Sequence, residues 1–375
     1  MSDTVDQPVM ESIESALRHV KPSVRTLGAY TLKPYEPHIK LNQNESPFDV
    51  PQAIKDRIHA TLADRPWNRY PPFVAANFIQ AVSEATRWPA DGVLVANGSN
   101  ELIQSILAVV VGPGVSVVIP EPTFTLYRLM TEVNGGTVVS VPLDDELAFD
   151  VEAIIRAAVD SQAAVIVLCS PNNPTGAALT RAEIERVHDE TEALILLDQA
   201  YVEFGGYDAI PLLDARPRLV VLRTFSKAMA MAGLRAGYML CHPALTAEVN
   251  KAKLPYNINF FTEVAAAEVL RSREVMHDLV LAIAGERDRM LAEMQAIPGL
   301  RVYPTAANFI LFRVEAPAVT HVQLFDRLLA EYGVLVRDVS KYPLLERCLR
   351  VNAGTREEND VFLDGLRTIM REATG

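Results

Sequence analysis

The chain of 375 residues is 49% hydrophobic and 22% charged, and it carries a formal net charge of −12 at pH 7. This composition is typical of a globular chain long enough for two domains, and it excludes extensive disorder away from the ends. The acidic balance argues against nonspecific nucleic-acid binding, which needs clustered basic residues to neutralise phosphates.

Helix-like and strand-like patterns alternate along the first two thirds of the chain. Helices are predicted near residues 51–64, 74–87, 100–111, 123–134, 151–160 and 180–192. Strands are predicted at residues 93–96, 117–119, 165–169, 193–197 and 236–240. Such alternation favours a mainly parallel sheet flanked by helices, which is the α/β fold class.

A second unit is predicted beyond a long helical stretch near residues 262–296. It contains strand-like runs at 308–312, 334–336 and 348–351, a helix near 319–332 and a closing helix. This pattern predicts a smaller α/β domain, joined by the N-terminal arm. The predicted divisions are 1–45 for the arm, 46–255 for the large domain and 256–375 for the small C-terminal domain.

Targeting and metal-binding signals are missing from the sequence. Residues 1 to about 20 lack the basic start and apolar core of a secretory signal and the Arg-rich character of a transit peptide. The apolar stretch 106–120 is interrupted by Gly112-Pro113-Gly114, so it predicts a helix end and a strand rather than a membrane span. The three cysteines and seven histidines show no metal-ligand spacing. We expect a cytoplasmic protein with reduced cysteines, no metal, and no membrane or nucleic-acid partner.

The segment at residues 223–235 (RTFSKAMAMAGLR) carries the strongest chemical signal. Lys227 is a candidate to capture an aldehyde cofactor as an imine, because burial or neighbouring cations lower the pKa of an amine and free its nucleophilic form. Ser226 and Arg235 suit a phosphate dianion, which a hydroxyl and a two-donor guanidinium can bind. Together these groups suggest pyridoxal 5′-phosphate as the cofactor. Taken alone, Lys227 could equally be a solvated surface lysine.

Two further strand ends provide groups that a pyridoxal cofactor requires. Asp198 ends an apolar run and is predicted to keep the pyridinium nitrogen protonated, although an Asp here can also cap the next helix. Tyr201 can donate its hydroxyl to the cofactor's phenolic oxygen, or it can be a packing residue. Asn173, in the SPNNPTG loop at 170–176, is predicted to donate to the same oxygen, and a ligand-free turn is the alternative.

The remaining cofactor contacts are predicted after two upstream strands. Ser99 and Asn100 begin an apolar-periodic helix whose unpaired backbone amides can bind phosphate, although an ordinary serine N-cap has the same pattern. Phe124 can stack on the cofactor ring or fill the core. These polar clusters all follow apolar runs, and ligand crevices form at the carboxyl edge of an open parallel sheet.

Ordered motifs along nearly the whole chain resemble the fold-type I pyridoxal-phosphate aminotransferases, and specifically the histidinol-phosphate aminotransferase family. The motifs are LNQNESP at 41–47, NRYP at 68–71, SPNNPTG at 170–176, DQAYVE at 198–203, RTFSKAMAMAGLR at 223–235 and LRVNAGTREE at 349–358. The resemblance implies an aspartate-aminotransferase-like fold whose large domain has a mainly parallel, seven-stranded sheet. It also implies a homodimer with shared active sites.

The same resemblance implies further binding residues. Tyr70 would reach across the dimer interface to the cofactor phosphate of the other subunit, and Tyr30 of the arm would contact the substrate. Arg350 would bind the substrate carboxylate and Arg337 the substrate phosphate, with Asn173 also contacting the substrate. A guanidinium meets both anions with two donors, although either arginine could instead form a surface ion pair.

Two positions depart from the family pattern. Gln199 stands where Glu is usual, and Phe124 stands where the stacking residue is often Tyr. A phenyl ring stacks as a phenol does, but loss of the hydroxyl removes one polar contact near the phosphate or the substrate. The sequence therefore determines the cofactor more firmly than the substrate.

These features predict a transaminase in which Lys227 first holds the cofactor and then moves protons. The expected reaction converts histidinol phosphate and 2-oxoglutarate to imidazole acetol phosphate and glutamate, in histidine biosynthesis. The alternatives are an aromatic amino-acid aminotransferase and a decarboxylase of a phosphorylated amino acid with the same fold. A cofactor-sensing regulator would need an attached DNA-binding module, which the short N-terminal arm cannot supply.

Overall fold

The computed structural model describes residues 13–28 and 34–374. Within this part of the chain the strands are β1 (Ile39–Lys40), β2 (Val93–Ala96), β3 (Ser116–Glu121), β4 (Thr137–Pro142), β5 (Val165–Cys169), β6 (Leu194–Asp198), β7 (Leu219–Thr224), β8 (Gly237–Leu240), β9 (Leu300–Val302), β10 (Phe309–Val314), β11 (Val334–Leu335), β12 (Arg337–Asp338) and β13 (Cys348–Asn352). The helices that lie wholly within it are α1 (Pro22–Arg25), α2 (Gln52–Leu62), α3 (Ala76–Thr86), α4 (Ser99–Val110), α5 (Leu126–Val133), α6 (Val151–Asp160), α7 (Arg181–Asp189), α8 (Pro243–Asn250), α9 (Phe260–Arg271), α10 (Arg273–Gln295), α11 (His321–Tyr332) and α12 (Arg356–Thr374).

The large sheet has seven strands in the order β2-β8-β7-β6-β5-β3-β4. The pairs β3–β4, β3–β5, β5–β6 and β6–β7 are parallel, and β8 is antiparallel to both β2 and β7. Because β2 and β7 both run opposite to β8, β2 points the same way as the parallel strands. The predicted mainly parallel α/β sheet is therefore confirmed. The carboxyl ends of β2, β3, β5, β6 and β7 all lie along one edge.

Both faces of this sheet are covered by helices and loops. In β2, Val93 and Val95 belong to the apolar cluster on one face, whereas Leu94 and Ala96 belong to the cluster on the other. All four side chains are buried. A strand buried on both faces shows a continuous apolar run, which is why the sequence pattern located these strands.

Several elements differ from the sequence prediction. α1, α8, β1 and β9 had no predicted counterpart. β4 had none either, because Val141 is the one buried residue of this edge strand, which also contains Ser140 and Pro142. The single helix predicted near 262–296 is two helices, α9 and α10, which meet at Ser272. The strand predicted at 334–336 is divided between β11 and β12.

A second, antiparallel sheet of four strands has the order β12-β13-β10-β9. Its apolar cluster includes side chains from α10, α11 and α12, whereas side chains of α9 belong to the cluster of the large sheet. β1 pairs in parallel with β11, so the segment leading into residue 41 is tied to the second unit. The exact division of the chain into domains stays a prediction. No helix among the described residues is long and apolar enough to cross a membrane.

Two glycines inside helices provide a matched test of the packing around the second sheet. A Cβ atom at Gly285 of α10 would have no heavy atom within 4 Å, whereas one at Gly365 of α12 would lie 2.8 Å from Cγ of Tyr332. We expect Gly285→Ala to raise the free energy of unfolding by about 0.5–1 kcal/mol, because alanine costs less backbone entropy in a helix. We expect Gly365→Ala to lower it, because Tyr332 must move. Denaturant unfolding monitored by circular dichroism checks both, and equal effects would contradict the described packing.

Candidate active site

A cavity of about 420 Å³ lies at the carboxyl edge of the large sheet, where the second sheet faces it. It contains every predicted site residue except Tyr30 and Tyr70. Those in its wall are Ser99, Asn100, Phe124, Asn173, Asp198, Tyr201, Ser226, Lys227, Arg235, Arg337 and Arg350. The structure thus brings together residues that are up to 251 positions apart, from 99 to 350.

One end of the cavity is rich in hydrogen-bond donors for an anion. Arg235 donates through Nη1 to Oγ of Ser226 at 3.0 Å. Ser99 is the first residue of α4, so the unpaired backbone amides of the helix start open on the same end. Gly98 precedes it with a φ of 80°, and a Cβ atom there would lie 2.5 Å from Nη2 of Arg235. Only glycine leaves the loop and the guanidinium this close together.

Lys227 lies in the middle of the cavity wall, three residues after the end of β7. Its Nζ donates to the backbone carbonyl of Gln43 at 2.8 Å. Burial lowers the pKa of Lys227 to about 7, and the charge of Arg350 acts in the same direction, whereas the carboxylate of Glu45 opposes it. A lysine with this pKa is partly a neutral, nucleophilic amine at neutral pH.

Asp198 is the last residue of β6 and is only 3% exposed. Oδ2 accepts a hydrogen bond from the hydroxyl of Tyr127 at 2.8 Å, and Oδ1 accepts one from the backbone N–H of Ala200 at 3.0 Å. Burial raises the pKa of Asp198 to about 6, although these two hydrogen bonds and the charge of Arg223 lower it. A cation brought beside this carboxylate would favour its ionised form.

The second sheet contributes two arginines that are partners across neighbouring strands. Arg337 of β12 lies opposite Arg350 of β13, so both side chains are on the same face of the sheet. Arg350 donates through Nη2 to the backbone carbonyl of Asn42 at 2.9 Å and through Nη1 to Oδ1 of Asn173. Its guanidinium also lies 5.1 Å from the ring centroid of Phe309. Two adjacent guanidinium groups form a binding place for carboxylate or phosphate.

Asn173 and Tyr201 lie between the lysine and the arginines. Because Arg350 occupies the amide oxygen of Asn173, this side chain offers its NH₂ group as a donor. The hydroxyl of Tyr201 accepts from Nδ2 of Asn44 at 3.0 Å and retains its own proton as a donor. Phe124 lines the opposite wall, edge-to-face with Tyr127 at 5.7 Å between ring centroids.

These groups fit pyridoxal 5′-phosphate in kind and in order. Ser226, Arg235 and the start of α4 can hold the phosphate, and Asp198 can face the ring nitrogen. Asn173 and Tyr201 can donate to the phenolic oxygen, and Lys227 can reach the aldehyde carbon. No group of three His, Cys, Asp or Glu side chains in the described part of the chain could hold a metal ion.

Several predicted or suspected residues lie elsewhere. Tyr70 is 80% exposed, stacks on Tyr256 at 4.7 Å between ring centroids and is not in the cavity wall of its own chain. Tyr30 lies outside the described residues. Arg223, the first residue of the segment that contains Lys227, is buried and forms ion pairs with Glu203 and Asp208, and it does not line the cavity.

Sequence reasoning also missed residues of the site. Tyr127 was not singled out, although a tyrosine three positions after Phe124 on a short helix can share its buried side and needs a partner for its hydroxyl. Gln43 acts through its backbone carbonyl, for which no side-chain signal exists. Asn44 was quoted only as part of a motif, yet it is 1% exposed and holds Tyr201.

The chain is similar to known aminotransferases in sequence and in fold. The family model for aminotransferase class I and II matches residues 36–366. The histidinol-phosphate aminotransferase of Chlorobium luteolum is 42% identical over 356 residues, covering 94% of this chain and 98% of that protein. Among solved structures, the histidinol-phosphate aminotransferase of Sinorhizobium meliloti in complex with pyridoxal-5′-phosphate has a TM-score of 0.86 and 24% identity, and it covers 96% of this chain and 99% of that one. The aromatic aminotransferase of Pyrococcus horikoshii has a TM-score of 0.77 and 24% identity, with 90% and 96% covered.

The fold and the cavity are those of a pyridoxal-phosphate-dependent aminotransferase. The identity over nearly the full length of both chains narrows this class further. The chain belongs to the histidinol-phosphate aminotransferase family.

The lowered pKa of Lys227 leads to a testable pH dependence. We expect the rate at which cofactor-free protein captures pyridoxal phosphate to rise as the pH passes about 7 and to level off above it, because the neutral amine fraction rises through the pKa. An ordinary lysine, with a pKa of about 10.4, would give a rate that still increases above pH 9. Stopped-flow absorbance measures the rate. The reaction of the cofactor with Nα-acetyl-lysine in solution, measured over the same pH range, accounts for the cofactor's own ionisation. Lys227→Ala should capture no cofactor after borohydride reduction and peptide mapping.

Proposed function

We propose that this enzyme transfers the amino group of histidinol phosphate to 2-oxoglutarate, giving imidazole acetol phosphate and glutamate, in histidine biosynthesis. The observation that carries the proposal is the 42% identity to a protein of that name over 94% of this chain. The paired Arg337 and Arg350 support it, because both reaction partners carry anionic groups that guanidinium groups bind.

The bound cofactor supplies an electron sink for the electrons that remain when the substrate's α-proton leaves. Lys227 removes that proton and delivers one to the C4′ position, so it is a base and then an acid. Its lowered pKa suits both roles near neutral pH. Asp198 keeps the ring nitrogen protonated, and Tyr127 and Ala200 orient that carboxylate.

The other binding residues orient the cofactor and the substrate. Ser99, Asn100, Ser226 and Arg235 hold the cofactor phosphate, Phe124 stacks on the ring, and Asn173 and Tyr201 donate to the phenolic oxygen. Arg350 binds the substrate carboxylate, and Arg337 binds the substrate phosphate. Asn173 and, from the arm, Tyr30 complete the substrate contacts. Arg350 is held ready for this role by Asn42 and Asn173.

We also propose a homodimer in which Tyr70 completes the phosphate site of the partner subunit. Trp67, Tyr70, Phe73 and Leu254 are 85%, 80%, 64% and 70% exposed, and Tyr70 and Phe73 both contact the ring of Tyr256. Exposed large hydrophobic side chains of this kind are typical of a surface that another subunit covers. The domain division at 45 and 255 and a cytoplasmic location belong to the same proposal. The three cysteines, all buried and unpaired, suit a reducing compartment.

The reaction can be tested by the visible spectrum of the cofactor. We expect histidinol phosphate to convert the cofactor to its amine form, and 2-oxoglutarate to restore the starting spectrum. Lys227→Ala should show neither change, because it has no proton-transfer group. Cycling with phenylalanine but not with histidinol phosphate would favour an aromatic amino-acid aminotransferase. Release of CO₂ from a phosphorylated amino acid, without consumption of a keto acid, would favour a decarboxylase.

The shared site can be tested by mixing inactive subunits. We expect Lys227→Ala to be inactive and Tyr70→Ala to bind the cofactor weakly. A mixed dimer of the two contains one site with an intact Lys227 and an intact Tyr70, so co-expression should restore activity to about a quarter of the wild-type value in a random mixture. Activity equal to the average of the two parent proteins would contradict a site shared between subunits.

A further inference from the structure

The cavity wall is unevenly charged. Lys227, Arg235, Arg337 and Arg350 are its cations, whereas Asp198 and Glu45 are the only carboxylates in its wall within the described part of the chain. Asp198 is bound by Tyr127 and Ala200 and lies at the inner end of the cavity. Glu45 has no role in the proposed reaction.

Glu45 is held at the mouth of the cavity by its surroundings. Oε2 forms an ion pair with Nζ of Lys40 at 2.7 Å, and the side chain remains 36% exposed. It lies two residues after Gln43, whose carbonyl binds Lys227, and directly after the buried Asn44. The backbone around Glu45 is therefore fixed, and its carboxylate lies close enough to Lys227 to raise that lysine's pKa against the effect of burial.

The proposed substrates place different demands on such a carboxylate. Glutamate, 2-oxoglutarate and the phosphate of histidinol phosphate are anionic, so the arginines bind them and Glu45 repels them. Both amino donors carry the amino group that reacts. Besides that group, histidinol phosphate alone has an imidazole ring, which donates N–H bonds and can carry a positive charge at neutral pH. A phenyl ring does neither, so it would give the Glu45 carboxylate no hydrogen bond beyond its ion pair with Lys40.

We propose that Glu45 accepts a hydrogen bond from the substrate's imidazole ring and so selects imidazole over phenyl side chains. This inference rests on the proposed function and deepens it. A charge-assisted hydrogen bond of this kind changes binding by about ten- to a hundredfold. Glu45 is thus a specificity-determining residue that acts on one of the two substrates of the enzyme.

The two half-reactions allow a test inside one enzyme. In single-turnover spectra, we expect Glu45→Gln to lower kcat/KM for histidinol phosphate at least about tenfold more than kcat/KM for glutamate, because only the imidazole loses a charged partner. Glu45→Met, which has no such acceptor, should widen this ratio and raise the relative rate with phenylalanine. Glu45→Asp, which keeps the charge, should lie between wild type and Glu45→Gln.

Two matched variants separate recognition from local structure. Asp49 is another carboxylate that is paired with a lysine, Lys55, but it lies outside the cavity. Asp49→Asn should leave the ratio of kcat/KM for histidinol phosphate to kcat/KM for glutamate unchanged. Lys40→Gln removes the ion-pair partner of Glu45 and should retain the preference for imidazole. Cofactor affinity, measured by absorbance titration, should change by less than about threefold in every variant.

Each outcome decides the proposal. Equal losses in both half-reactions of Glu45→Gln would mean that Glu45 acts only through Lys227, and this result would overturn the inference. If Lys40→Gln loses as much of the preference for histidinol phosphate as Glu45→Gln does, then Glu45 acts only as half of a structural ion pair. This result would also overturn the inference. Absence of histidinol phosphate turnover in the wild-type protein would instead refute the proposed function, independently of any Glu45 variant.

Discussion

The cavity depends on burying one carboxylate and one amine in the same enclosed space. Asp198 is buried and Lys227 is half-buried, so desolvation raises the pKa of Asp198 to about 6 and lowers that of Lys227 to about 7. Both shifts move the pKa toward 7 and so increase the uncharged fraction of each group at neutral pH. Such a pair is costly without a ligand, and a bound cofactor with a cationic ring nitrogen and an electrophilic carbon satisfies both groups. A cofactor of this chemistry is therefore compatible with both perturbed groups.

A short stretch of backbone after β1 connects the two halves of this site. The carbonyl of Asn42 accepts from Arg350, and that of Gln43 accepts from Lys227. The backbone N–H of Asn44 donates to Oδ1 of Asn352 at 3.1 Å, while its Nδ2 holds the hydroxyl of Tyr201. Residues 42–44 therefore contact the second sheet and the cofactor residues together. A displacement of this stretch would alter the binding of both cofactor and substrate.

The network behind Asp198 shows how a departure from the family pattern is accommodated. Gln199 is fully buried, and its Oε1 accepts hydrogen bonds from Nη2 of Arg223 and the backbone N–H of Ala209, both at 3.2 Å. The charge of Arg223 is balanced by Glu203 and Asp208. A neutral amide at position 199 therefore suffices, since two carboxylates already compensate the buried guanidinium. Gln199 therefore alters the hydrogen bonds behind the cavity wall, but not the groups in the wall itself.

Local sequence patterns located most of the strands and helices and most of the functional side chains of the cavity wall. Strands buried on both faces are continuous apolar runs, and a reactive lysine, an aspartate and phosphate donors follow them at positions that sequence motifs reveal. How those groups meet follows from the three-dimensional fold. Tyr127 and the carbonyl of Gln43 complete the site through contacts between distant segments, and β4 is defined by pairing at a sheet edge and not by its own apolarity. Propensity and periodicity are local properties of the chain, whereas desolvation and hydrogen-bond pairing depend on which segments the fold brings together.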